Sequence, residues 1–365
     1  MPVERATAKS KTGPGWWVST RTMLVGALGG GLAFLAGIPL GWLIGAMAIT
    51  TVLAMSGVSM RTSPRPRATM IVVIGLMVGS AFSPEVAART PEWIASLFGV
   101  LVYVAIVAAF GVFICLRWGR LEPATAAFSG MPGGLSEMVV IGPALGADVR
   151  SVSLVHGTRL LVLIAVIPTV LSSLGLVAVA GGPARTLDLG FHLSLFDLLI
   201  LTACGVGGSF LGKALRFPAA MLTGPLLLSA IVHITGLTSA HIPGLVLALA
   251  QVVIGASIGQ HFAGVERKVL ATGFALGAAL TVFSLVLATG FALVFERALG
   301  VPFAIGLFAL VPGGLPEMSL MAISLDADPA FVSLHHLFRM VLILTFAPLL
   351  IPRWVRRMAA RQKAQ

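Results

Sequence analysis

Three kinds of polar side chain recur at matched positions in an otherwise apolar sequence. Glu137, His156 and Arg159 stand 180 residues before Glu317, His336 and Arg339. Each Glu lies three residues past a Pro-Gly-Gly string, Pro132-Gly133-Gly134 in one case and Pro312-Gly313-Gly314 in the other. Pro has no N–H and clashes with the preceding turn, and paired Gly weaken a helix further. Each string should therefore break a helix and leave its Glu in the first turn of the helix that restarts. A carboxylate there can be an acid beside the positive end of a helix. It can also be a group that binds a cation or takes a proton, because a charge at the bilayer centre costs about 2.5–3.5 kcal/mol and by default marks function.

The His and Arg of each set are three residues apart and share a helix face. One reading makes the arginines structural, Arg159 pairing with Glu137 and Arg339 with Glu317 to hold the broken segment against the next helix. The other has Arg bind an anionic substrate while His, which changes charge near neutral pH, shuttles protons. Free N–H groups around Gly133, Gly134, Gly313 and Gly314 could cradle an anion or a substrate carboxylate. Asp148 and Asp328 read as helix N-caps in short polar turns. His261 and His335 face Ala81 and Val155 at the matched positions, so the two halves are not equivalent.

These residues need a membrane to make sense of their surroundings. Of 365 residues, 58% are hydrophobic and 10% charged, and mean hydropathy is +1.02, far from the roughly 45–50% apolar and 25% charged of soluble domains. The composition specifies an all-α polytopic membrane protein. A formal charge of +11 resides mainly in tails and short connections, which points to topology and away from nucleic acid. Cys115 and Cys204 have no C-x-x-C or neighbouring His and read as buried small hydrophobes, so neither a disulfide framework nor a metal site is expected.

The order of elements repeats. Met23 to Ser56 is too long for one span of about 20 residues and is split into a hairpin at Gly37-Ile38-Pro39. Spans follow at about Ala68–Phe82 and Trp93–Leu116, then the broken element Pro123–Ala147 and a span at about Val152–Val179. Pro218, Gly224 and Gly236 fall 179 residues after Pro39, Gly45 and Gly57, while Gly255, Gly259 and Phe262 fall 180 after Gly75, Gly79 and Phe82. This is an internal duplication. The chain divides into a basic cytoplasmic tail at 1–21, a first membrane repeat at 22–180, a linker at 181–195, a second repeat at 196–352 and a basic cytoplasmic tail at 353–365.

Lys and Arg in short loops set orientation. With the broken element dipping in and returning, each repeat has five true spans. Both termini, the Arg61/Arg65/Arg67 loop, Lys213/Arg216 and Arg267/Lys268 then lie inside, and the repeats are inverted. A broken element that crosses would make them parallel and move Lys213/Arg216 and Arg267/Lys268 outside.

The duplicated P-G-G-L-x-E-M, followed eighteen residues later by His-x-x-Arg, resembles the membrane AbrB family from about Leu24 to Pro352. That bacterial family is often labelled a transporter or an ammonia monooxygenase, and it shares its name with an unrelated soluble DNA-binding regulator. The resemblance implies kinship with cation/proton antiporters and anion transporters, which have inverted repeats and unwound helices near the midplane. It also implies a place in the inner membrane, and some members are described as regulators of gene expression.

Together these features favour a secondary transporter with no cofactor, acting on a small ion or organic anion, proton-coupled or not, with the bilayer as its other partner. A homo-oligomer is compatible with the sequence. A sensor acting on gene expression through a partner is the alternative. A monooxygenase is disfavoured, because the seven His are scattered and copper or iron oxidation needs clustered ligands.

Overall fold

The computed structural model describes residues 16–177, 193–263 and 267–363, and among them the regular structure is entirely helical. The first half comprises α1 (Trp16–Leu35), α2 (Gly41–Met55), α3 (Pro64–Gly79), the short α4 (Pro84–Arg89), α5 (Ile94–Arg117), α6 (Pro123–Gly130), α7 (Leu135–Ile141) and α8 (Val149–Ser173). The second comprises α9 (Leu195–Ala214), α10 (Ala220–Ile234), α11 (Gly244–Gly259), α12 (Arg267–Leu299), α13 (Phe303–Leu310), α14 (Leu315–Ser324) and α15 (Pro329–Lys363). Seven helices are long and apolar enough to cross a membrane: α1, α5, α8, α9, α11 with its terminal 3₁₀ turn, α12 and α15. Shorter apolar helices, α2 and α10 among them, complete the bundle.

The outward faces of these helices are apolar. Leu24, Leu28 and Leu32 on α1, Ile94, Phe98 and Leu101 on α5, and Val282 and Val286 on α12 are all exposed. Their spacing of three or four residues lines up apolar stripes that only lipid would cover at no cost.

Several sequence boundaries move. The first helix begins at Trp16, inside the stretch read as a tail, and α15 continues to Lys363, through the stretch read as the second tail. The linker expected at 181–195 falls mostly outside the described residues. Gly37 (φ +72°) and Leu40 (φ +52°) turn the chain between α1 and α2, where the split was expected.

Close approach of backbones explains the small residues. A Cβ on Gly29 would sit 2.7 Å from the carbonyl oxygen of Gly45, and one on Gly208 2.7 Å from that of Gly224. Both hairpins, α1–α2 and α9–α10, are therefore closed by a glycine pair. Packing then crosses between halves: α2 lies on α11, α3 on α10, and α8 on α12. The largest apolar cluster mixes both halves, with Phe128 and Met138 beside Phe308 and Met318.

Candidate functional site

Helices α6 and α13 each end at a Pro-Gly-Gly string, and α7 and α14 restart immediately after it. Gly134 and Gly314 precede the restarts in extended conformation (φ −74°, ψ 147° and φ −72°, ψ 149°). Each Glu carboxylate folds back over this glycine, so that a Cβ on Gly134 or Gly314 would collide with Oε2 of Glu137 or Glu317. Met138 and Met318 cover Gly133 and Gly313 in the same way: a Cβ there would come within 2.7 and 2.5 Å of the methionine Cε. A side chain at any of these glycines would displace the carboxylate or thioether that covers it.

The break leaves carbonyls without partners, and the next long helix supplies them. In a continuous helix the carbonyl of Phe128 would accept from residue 132 and that of Phe308 from residue 312, but both positions are Pro. His156 Nε2 donates to Phe128 O at 2.8 Å, and His336 Nε2 to Phe308 O at 2.8 Å. The two histidines replace the N–H groups that proline lacks. A carbonyl only accepts, so each imidazole carries its proton on Nε2. In the second half Nδ1 of His336 then accepts from Arg339 Nη2 at 2.7 Å. This arrangement suits a neutral, fixed imidazole and does not favour the proton-shuttle reading of the histidines.

The arginines do not form the ion pairs expected within each half. Arg159 donates through Nη1 to Met131 O at 2.8 Å. Arg339 donates through Nη1 to Val311 O (2.8 Å) and Leu310 O (3.4 Å), and through Nη2 to Gly313 O (2.5 Å). Both guanidiniums sit at the negative end of a half-helix and satisfy its terminal carbonyls. Their exposures are 1% and 3%. A buried Arg finds its acceptors here in unwound backbone, which no side-chain pairing rule would anticipate.

Glu317 pairs instead with Arg67, the cation near the start of α3, at 3.5 Å. Arg67 also donates to Ser136 Oγ at 3.2 Å, so one side chain bridges the restarted helices of both halves. From the sequence alone Arg67 is one of three loop charges, with Arg61 and Arg65. Its matched position is Leu247, so no duplication signal marked it.

Glu137 and Glu317 come together in one cavity of about 180 Å³, whose lining includes Arg67, Ser136, Gly314 and Pro316. A second space, about 10 Å³ or room for one water, is bounded by Gly133, Gly134, Glu137, Gly313, His336 and Arg339. Of the twelve residues singled out, these two spaces gather Gly133, Gly134, Glu137, Gly313, Gly314, Glu317, His336 and Arg339. His156 and Arg159 stand behind the first break, and Pro132 and Pro312 set the breaks without lining either space.

Among the described residues no group of three or more His, Cys, Asp or Glu could hold a metal ion. His335 contacts Ser96 Oγ (2.7 Å) and Phe331 O (2.7 Å), tying α15 to the start of α5. Asp148 caps α8, accepting from the N–H of Ser151 (2.9 Å) and Arg150 (3.4 Å). Burial alone would raise the Asp148 carboxyl, but hydrogen bonds from Ser151 and Arg150 hold it below the usual carboxylate range.

Comparison with known proteins agrees over most of this chain. Residues 42–355 match the family AbrB, described as "Transition state regulatory protein AbrB". The chain is 28% identical over 353 residues to "Uncharacterized protein YhjN" of Bacillus subtilis (strain 168), covering 89% of this chain and 90% of that protein. It is 25% identical over 340 residues to "Putative regulator AbrB" of Escherichia coli (strain K12), covering 90% and 93%. No solved structure matches the chain.

Proposed function

The chain belongs to the AbrB family, and from that premise we propose that it is a secondary transporter of the inner membrane, alternating access around the cavity between its two Pro-Gly-Gly breaks. One observation carries the reading: two broken helices bring Glu137 and Glu317 into a single cavity of about 180 Å³. Transporters use unwound backbone for such sites because N–H and C=O groups freed from a helix can be satisfied by protein, water or substrate but not by lipid. In this proposal the two halves are inverted repeats, the breaks enter from opposite faces, and both termini are cytoplasmic. Any proton coupling falls to the Glu pair, since the histidines are occupied in holding carbonyls.

Purified full-length protein in proteoliposomes tests it. Proton and candidate ion fluxes should appear with wild type and fall about tenfold or more with Glu137→Gln or Glu317→Gln. Absence of any flux above empty liposomes, with cellular phenotype intact in both variants, would overturn the transport reading. The relative named as a regulator favours a second reading, in which the same cavity senses a solute and signals through a partner protein. Ligand-dependent partner capture without flux would support that alternative.

A further inference from the structure

The two arginine clamps are not alike. Arg339 has four acceptors within 3.4 Å, three carbonyls and His336 Nδ1. Arg159 has Met131 O on Nη1, while its Nε and Nη2 are buried with no hydrogen-bond partner among the described residues. Those two nitrogens form the side-on edge of the guanidinium, two parallel N–H donors whose spacing matches the oxygens of a carboxylate. Ser129 Oγ at the end of α6 is likewise buried without a partner among the described residues, and so is Thr158 Oγ1 on α8, whose side chain lies against Gly277 of α12. The matched residues in the second half are Ala309 and Phe338. The two hydroxyls therefore have no counterpart in the second half, where the arginine clamp is complete.

An orphaned buried donor costs about 1–3 kcal/mol, more when charged. A guanidinium edge left in this state calls for an acceptor-rich occupant. The charges agree in sign: Arg67, Arg159 and Arg339 surround the breaks against the two carboxylates of Glu137 and Glu317. The centre lacks one negative charge.

We propose that the junction of α6 and α8 binds a small carboxylate on the side-on edge of Arg159, and that the Arg339 junction is its closed structural counterpart. The inference rests on the transporter reading, since it names the class of substrate. With Arg159 only 1% exposed, this conformation is the occluded one, and the carboxylate enters when the first break moves off α8.

Thermal unfolding of the detergent-purified full chain, titrated with formate or acetate against chloride at constant ionic strength, tests the site. Wild type should show a saturable rise in Tm with the carboxylates that chloride does not reproduce. Arg159→Lys, which keeps the charge but loses the fork, should weaken the apparent affinity by about tenfold or more. Arg159→Gln, which loses both the charge and the fork, should remove the saturable rise altogether. Arg89→Lys, in an exposed ion pair at the end of α4, should leave it unchanged. A wild type with no preference for carboxylate over chloride would mean that the edge holds a buried water only, and would sink the proposal. So would wild-type affinity in either Arg159→Lys or Arg159→Gln; should the lysine variant fail to fold, the glutamine variant decides. Flux in liposomes without carboxylate stabilisation overturns this inference and leaves the transporter standing. Carboxylate binding without flux does the reverse.

Discussion

His336 shows how much of the break depends on one hydrogen bond. Pro312 removes the N–H that Phe308 would have used, and the imidazole of a helix 28 residues further along restores it at 2.8 Å. His336→Ala leaves that carbonyl unpaired in a dry setting and should destabilise the protein by about 1–3 kcal/mol, read as a fall in Tm. Gln, which keeps an N–H donor, should recover part of the loss. Equal stability of the two variants would show that the imidazole contributes packing alone. Sequence reasoning found His336 and Arg339 because they recur with His156 and Arg159, but it assigned them carboxylate and proton partners. Backbone carbonyls carry no label in a sequence, so a buried Arg invites pairing with the nearest Glu. Only the path of the unwound chain reveals the acceptors it has.

Helix pairs are held by the absence of side chains. Gly45 meets Gly29 and Gly224 meets Gly208 so closely that a Cβ on either second-helix glycine would run into the carbonyl opposite. Gly45→Val or Gly224→Val must separate the hairpin, at a cost of about 1–3 kcal/mol or more, which size-exclusion profile and Tm would register. Exposed Gly57, with nothing within 4 Å of an added Cβ but φ +88°, tests a different term, backbone strain without collision. At the start of α8, Asp148→Ala removes a cap and should cost about 0.5–2 kcal/mol. The native carboxyl is held low by its N–H donors. Its contribution is thus present above the unfolded carboxylate range and lost as pH falls through the lowered folded value; Asp148→Ala should flatten that acid limb.

Across the whole molecule, the duplication was legible because Pro, Gly, Glu, His and Arg are costly in an apolar chain and keep register when Leu and Val drift. The mutual packing of α2 on α11 and α3 on α10 was not, since apolar faces do not name their partners. Nor was the Arg67 bridge, a single-copy charge near a loop. Orientation remains a prediction at this scale. With Cys115 and Cys204, both buried, replaced by Ala, single cysteines placed beside Lys213 and Arg267 should react from the cytoplasmic side only. Labelling from outside would make the repeats parallel. The cavity that Glu137, Glu317 and Arg67 share has one more implication, and it is electrical. In the proposed transporter, charges lodged between two broken helices would stand within the voltage drop of an energised membrane, where one elementary charge crossing 100 mV is worth about 2.3 kcal/mol. A cycle that moves unequal charge through that cavity should pass current, and its rate should rise or fall with membrane potential according to the sign carried.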